Sequence, residues 1–196
     1  MKFAAPKAVA SIAAALCWAL MSAGAGATSV LPLDLDQMVA AAQHIVHVRC
    51  TANEVQADPN VRAVTVTRFV VLDRAKGTGG AAFTVRQAGG ELDGVVVNYH
   101  VPQFRVGDEY VLFMPASSRI GLASPVGLAQ GAFAVVAAGT AKEVGNGRDF
   151  ADLLPFADTA ALPPGIAARL QRPRGERVRM DLGDFMTLVR AKAGGR

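Results

Sequence analysis

The sequence contains little cysteine. Its 196 residues include two, Cys17 and Cys50, and Cys17 falls in an N-terminal stretch that we expect to be cleaved off. One remaining thiol cannot form a disulfide within its own chain, which excludes the small secreted folds that depend on disulfides. Stability must therefore come from a hydrophobic core, and roughly 170 residues suffice for one such domain.

The chain also lacks an apolar run long enough for a good membrane span. Its longest is "AVASIAAALCWALM" (8–21), whereas a spanning helix needs roughly 20 apolar residues. Lys2 and Lys7 precede this run, and "SAGAGA" (22–27) follows it with small residues suited to a signal peptidase. This pattern predicts a signal peptide cleaved after Ala27. The expected product is periplasmic or secreted and keeps no membrane span.

Net charge is small once that leader is removed. Without Lys2 and Lys7, 18 basic residues stand against 16 acidic ones, which gives a net charge of +2. From Gly165 onward eight basic residues face three acidic ones, so the tail carries +5 and residues 28–164 carry −3. We interpret this as a basic tail lying on an acidic body. Nucleic-acid binding is the less favoured reading, because no stacking aromatics are interleaved with the arginines.

Recognisable catalytic motifs are missing as well. No serine lies in a Gly-x-Ser-x-Gly elbow, and "GTGG" (77–80) lacks the Lys-Ser/Thr of a phosphate loop. His44, His47 and His100 have no acidic residue at a zinc-ligand spacing. Because His47 and Cys50 point to opposite faces of a strand, only His100 could act as a base for Cys50. We therefore predict no catalytic residue, no metal and no cofactor.

Cys50 itself is expected to be a buried, inert thiol. It ends the apolar run "HIVHVRC", where it shares a strand face with Val46 and Val48. A cysteine in such a position behaves as a small hydrophobic residue.

Short strand patterns are abundant. An amphipathic helix opens the domain, with Leu35, Met38, Val39 and Ala42 on one face and Asp34 as its cap. Strand candidates rich in Val, Phe, Thr and Tyr follow at residues 44–55, 61–72, 81–87, 94–101, 109–114 and 131–137. Asp181 can cap a second helix, whose apolar stripe is Leu182, Phe185, Met186 and Val189.

This organisation predicts a mainly-β fold, an antiparallel OB-like barrel of five to seven strands with a short N-terminal helix and a C-terminal helix. The predicted segments are a signal peptide (1–27), the barrel (28–138), a loose linker (139–176) and a C-terminal helix packing on the barrel (177–196). The expected core residues are Val46, Val48, Val64, Val66, Val70, Leu72, Val85, Val96, Val111, Phe113 and Phe133.

Several motifs together resemble an uncharacterised family of small exported bacterial proteins. They are "LDQMVAAAQHIVHVRC", "VTVTRFVVLDRAKG", "AGGELDG" leading to "VPQFRVGDEYVLFM", and "GLAQGAF", within residues 31–138. The same order is distantly similar to the OB-like barrel of netrin and metalloproteinase-inhibitor modules. That resemblance implies the architecture only, because inhibition in those modules depends on an N-terminal cysteine and the expected start here is Thr28.

The stretch "GGELDGVVVNYHVPQFRVGDEYVLFM" (89–114) is interpreted as structural. Its glycines permit positive φ, and Pro102 marks the end of a strand because it cannot donate to a ladder. Phe104 is expected to plug the barrel end, and Gly107-Asp108 to turn the chain into the next strand.

Two functions remain open. The first is a non-enzymatic protein-binding or accessory module whose partner is a secreted or periplasmic protein. Its contact loops would be 88–94 and 117–131, with Glu91, Asp93, Arg119 and Gln130 as possible binding residues. The glycines of these loops could equally serve only to turn the chain. The second function is a hydrolase whose active-site residues are dispersed along the sequence.

Overall fold

The computed structural model describes residues 31–154 and 179–194. The strands are β1 (His44–Asp58), β2 (Arg62–Lys76), β3 (Ala82–Ala88), β4 (Gly90–Leu92), β5 (Val95–Val97), β6 (Glu109–Met114), β7 (Ala132–Ala138), β8 (Ala141–Gly145) and β9 (Met180–Asp181). The helices are α1 (Leu35–Ala41), α2 (Phe150–Leu153) and α3 (Leu182–Gly194), with a 3₁₀ turn at Leu128–Gly131. The predicted signal peptide and most of the predicted linker lie outside the described residues.

Seven antiparallel strands form one sheet, in the order β3-β2-β1-β6-β7-β8-β9. The mainly-β prediction is confirmed, and so are the two flanking helices. The sheet does not close into the expected barrel, because closure requires the two edge strands to pair. Its edges are β3 and the two-residue β9, and part of the β3 edge is occupied by Ala123, whose N–H donates to the Arg86 carbonyl at 2.9 Å.

The first helix begins as its sequence predicts. The Asp34 carboxylate accepts a hydrogen bond from the Gln37 N–H at 2.7 Å, and the Gln37 side chain accepts one from the Asp34 N–H at 3.0 Å. This reciprocal capping box satisfies two backbone donors that a helix start leaves free. The apolar stripe then packs Leu35, Met38 and Val39 into the core.

The central strand β6 shows how the core is divided. Val111 and Phe113 face a first cluster under the helices, while Tyr110, Leu112 and Met114 face a second cluster on the opposite side. This is the two-residue period of a strand with both faces covered. The helices contribute half of the buried residues of the first cluster, and β1, β2, β3 and the segment around Phe104 contribute most of the second.

Most of the predicted core residues are buried, but the positions of Leu72 and Val96 were predicted wrongly. Leu72 is 40% exposed and Val96 is 70% exposed, and Val70 is half-buried. In the pairing of β1 with β2 the register shifts between His47 and Val48, and Leu72 is left without a partner. Such a bulge breaks the strict alternation from which the buried face was predicted.

Val96 is exposed because the predicted strand 94–101 is short and lies outside the main sheet. β4 and β5 form a separate two-stranded hairpin, and Asp93 and Gly94 connect them with φ of 51° and 73°. Two consecutive positive φ values are those of a type I′ turn, whose twist matches that of paired strands. A further difference is that the main sheet continues through β8 into the range expected to be a linker.

The C-terminal helix starts at its predicted cap and lies on the first cluster. Asp181 accepts a hydrogen bond from the Asp184 N–H at 3.1 Å, and the buried side chains are Phe185, Met186, Leu188 and Val189. Arg190 pairs with Asp73, and Lys192 pairs with Asp36 at 2.6 Å. Two cations of the basic tail therefore contact carboxylates of the body. None of the described helices is both long and apolar enough to cross a membrane.

Phe113→Ala should destabilise the fold strongly. Phe113 is fully buried and packs against Phe133 and Phe185, with ring centroids 5.4 and 6.2 Å away. Truncating such a ring leaves a cavity, so the free energy of unfolding should fall by about 3–5 kcal/mol. Urea denaturation measures this loss. Val106→Ala, at a 61% exposed position, is the control, and an equal effect of the two changes would contradict this description of the core.

Candidate functional site

The segment around Phe104 seals the second cluster. The Phe104 ring packs edge-on against Phe69 and Tyr110, with ring centroids 5.2 and 5.1 Å away. Its carbonyl accepts a 2.7 Å hydrogen bond from the Asn53 side chain, and the next N–H, of Arg105, donates to the Tyr110 hydroxyl. The segment therefore has a structural role.

Cys50 lies in the cluster that Phe104 seals. The residue is buried, and burial raises the pKa of its thiol. Its sulfur donates to Asn53 Oδ1 at 3.8 Å, and His100, an exposed residue, makes no hydrogen bond with it in the part of the chain described. His47 faces the other side of the sheet, where its Nε2 lies 2.9 Å from Glu109 Oε2. A protonated thiol without a base is a poor nucleophile.

We therefore expect Cys50 to resist thiol reagents in the native state. In a chain carrying Cys17→Ser, so that Cys50 alone reports, Ellman's reagent should give almost no signal until denaturant is added. The unfolded protein should then release close to one equivalent. Full labelling of the native protein at a rate independent of denaturant would show that the thiol is accessible.

A cluster of ion pairs surrounds Glu109 on the helix-covered face. The carboxylate is within 2.9 Å of nitrogens from His47, Arg49 and Lys142, and its side chain is 11% exposed. Burial alone would raise its pKa, but hydrogen bonds from Lys142, Arg49 and His47 outweigh burial and hold the pKa at about 2. Because three side chains already engage this carboxylate, its role is structural. Across residues 31–154 and 179–194, no three His, Cys, Asp or Glu side chains come together as a metal site.

The Glu109 cluster predicts acid sensitivity. The pKa of Glu109 is lowered from 4.5 to about 2 in the fold, so its contribution is fully present above pH 4.5 and is lost as pH falls towards 2. A difference of this size corresponds to roughly 3 kcal/mol at most. Glu109→Gln should thus lower the free energy of unfolding by up to that amount at pH 7, and by much less near pH 2.

Urea denaturation at the two pH values measures this difference. Glu54→Gln is the control, because the Glu54 carboxylate makes its ion pair, with Arg68, at the solvent-exposed surface. An equal loss for Glu109→Gln at both pH values would show that packing, and not charge, accounts for the effect.

A cavity of about 260 Å³ lies at the edge of the main sheet. It is lined by Gln43, His44, Phe83, Thr84, Val85, Arg86, Met114, Pro115, Ser117, Gly121 and Ala123. Four consecutive residues of β3 contribute, so residues belonging to both faces of the strand border the cavity. The cavity therefore lies beside the strand edge rather than over one face of the sheet.

The backbone of β3 presents hydrogen-bonding groups to this edge. The N–H of Gly89 donates to Ala63 and the carbonyl of Ala81 accepts from Val71, so the odd-numbered residues bond to β2. Backbone groups alternate along a strand, so those of Ala82, Thr84 and Arg86 point outward. The outward carbonyl of Arg86 pairs with Ala123. The outward N–H and C=O of Thr84 have no backbone partner within the described residues.

The cavity is also bordered by a hydrogen-bonded turn. The Ser118 N–H donates to the Leu122 carbonyl at 2.8 Å, and the Ser118 hydroxyl accepts from the Leu122 N–H at 3.1 Å. This turn holds Gly121 and Ala123 against β3. Arg119 and Ile120 stand exposed at its tip.

The residues proposed from sequence for binding are separated by the fold. Glu91 and Asp93 are exposed on the β4–β5 hairpin, and Arg119 is exposed beside the cavity, which none of the four lines. Gln130 is used internally, since its Oε1 accepts from the Leu33 N–H at 2.8 Å and its Nε2 donates to the Leu31 carbonyl at 3.0 Å.

The cavity residues Phe83, Thr84 and Arg86 were missed as candidates. Their stretch, "AAFTVRQ", was recognised as a strand, but its place at the edge of the sheet depends on the order of the other strands. An alternating pattern predicts a strand and does not reveal which of its neighbours is absent.

Neither models of known protein families nor curated protein sequences match this chain.

Proposed function

We propose that this protein is an exported, non-enzymatic module that binds an extended segment of a partner protein at the β3 edge. The observation that carries the proposal is the outward backbone of Thr84 beside the cavity, whose N–H and C=O have no partner among residues 31–154 and 179–194. An exposed strand edge takes up an extended peptide as an additional strand, with affinity from main-chain hydrogen bonds and specificity from adjacent pockets.

The size and lining of the cavity favour a peptide over a larger small molecule. Its volume of about 260 Å³ lies below the ~300–1,000 Å³ of most small-molecule sites. Phe83, Val85 and Met114 supply an apolar floor suited to one or two side chains of a bound segment. Because β3 and the cavity-facing turn are joined by the hydrogen bond from Ala123 to Arg86, the site is preorganised.

A hydrolase is the weaker reading of the same cavity. His44 and Ser117 both line it, but no hydrogen bond joins them within the described residues, and the buried Nδ1 of His44 has no partner there. Burial and the nearby Arg74 charge lower the pKa of His44. Serine hydrolysis needs the nucleophile within hydrogen-bond reach of its base, whereas peptide pairing needs only the groups that already face the cavity.

Export is part of the proposal and rests on the N-terminal sequence. A basic start, a short apolar run and the small residues up to Ala27 form the pattern of a cleaved signal peptide. The partner would accordingly be a periplasmic or secreted protein. The likeness to small exported bacterial proteins is consistent with this destination.

Thr84→Pro should abolish peptide binding without unfolding the protein. Proline removes the outward N–H of Thr84, and it is tolerated on an edge strand because no ladder hydrogen bond is lost. Thr84→Val is the matched control, since valine keeps both the N–H and the branched shape. The immobilised protein is exposed to a synthetic pool of random ten-residue peptides, half with a free carboxyl terminus and half amidated.

We expect wild type and Thr84→Val to enrich a common set of peptides, and Thr84→Pro to retain none of it. Thermal denaturation establishes that all three proteins are folded. If folded wild type enriches no peptide, or if Thr84→Pro retains the same set, the β3 edge is not a peptide-binding site.

A further inference from the structure

The cavity and the open β3 edge beside it form a groove, which is blocked at the end where Arg86 lies. His44 and Gln43 lie at the end next to Phe83, since the rings of His44 and Phe83 are 5.8 Å apart. At the other end Ala123 already occupies the Arg86 carbonyl. A segment that pairs with Thr84 and runs toward Arg86 therefore meets Ala123 and must end there or turn away.

A guanidinium with spare donors lies at this blocked end. Arg86 lines the cavity and its side chain is 39% exposed. Within the described residues the side chain makes one hydrogen bond, from Nη2 to Asp58 Oδ2 at 3.3 Å. That distance is long for a charge-assisted bond, which is normally about 2.7–2.9 Å. Nη1 and Nε remain available to a second carboxylate.

Gly121 keeps space free beside the same group. A Cβ at Gly121 would lie 3.2 Å from Arg86 Nη1, closer than ordinary contact, and the φ of Gly121 is +75°. A glycine at this position lets the guanidinium lie against the turn at the border of the cavity. The blocked end thus combines positive charge with a barrier to further chain.

We propose that the groove recognises the free C-terminal carboxylate of its partner, which Arg86 binds while the preceding residue pairs with Thr84. This inference rests on the proposed function. The bound segment runs parallel to β3. In a parallel ladder, one residue of a bridge supplies both the N–H and the C=O that bond to the neighbouring strand. Thr84 can fill this role, because its outward N–H and C=O have no partner within the described residues. The apolar floor of Phe83, Val85 and Met114 then accepts a side chain next to the terminus.

The test compares three forms of each peptide enriched from the random pool. One form ends in a free carboxylate, the second is amidated, and the third is amidated with aspartate as its last residue. A charged hydrogen bond contributes about 1.5–3 kcal/mol, so amidation should weaken binding by about tenfold to a hundredfold. Binding is measured by fluorescence anisotropy.

Three variants test whether Arg86 is the recognising group. Arg86→Gln should reduce affinity for the free acid to that for the amide, and Arg86→Lys should restore part of the difference, since lysine keeps the charge but not the planar fork. Asp58→Asn removes the carboxylate that competes for Arg86 and keeps the side-chain acceptor of its hydrogen bond with the Asn60 N–H. It should therefore strengthen binding of the free acid and leave the amide unchanged.

The outcomes separate this inference from the proposed function. If peptides bind and depend on Thr84, but acid and amide bind equally, the function stands and carboxylate recognition is wrong. Equal binding of the free acid and the aspartyl amide would show that Arg86 binds any nearby carboxylate. Selectivity for the C-terminal carboxylate would then be wrong. Thermal denaturation checks that the Arg86 variants are folded. If the folded variants keep the full preference for the free acid, a group other than Arg86 binds the terminal carboxylate.

Discussion

The burial of β6 on both faces is the constraint on which the rest of the structure depends. Residues Tyr110–Met114 are all buried, so this strand must lie inside the sheet with β1 and β7 beside it. Apolar cover is then needed on both sides. The helices supply it on one face, and β2, β3 and the segment around Phe104 supply it on the other. The outer strands are placed by this central one, and β3, which is separated from β6 by β1 and β2, becomes an edge.

Features set by short stretches of sequence could be predicted, and features set by strand order could not. The capping box at Asp34 and the bounds of β6 depend on residues within a few positions of each other. The exposure of Leu72 depends on a bulge in the pairing of two long strands, and alternation alone does not show where an extra residue is inserted. The cavity joins β3 to a turn more than thirty residues further on, so no local pattern contains it.

Part of the β3 edge is covered by other residues of the chain. A fully open edge strand would instead favour aggregation. Natural sheets cover, charge or shorten their edges to prevent unwanted pairing. Here the turn at residues 118–122 brings Ala123 onto the edge, and the Arg86 cation lies beside it. Among the described residues, what remains open is a short stretch: the outward backbone groups of Ala82 and Thr84 and the N–H of Arg86. So short an edge suits the single extended segment proposed above and disfavours continuous strand stacking.

The Gln130 contacts have a consequence for the order in which the molecule assembles. Leu33 is bonded to Gln130, 97 positions away, and Arg148 donates to the Leu33 carbonyl across 115 positions, at 2.6 Å. Contacts so distant along the chain form only after the intervening sheet has brought their ends together. We expect them to be absent from the folding transition state. These side chains then govern how slowly the native protein unfolds, and have little influence on how quickly it forms.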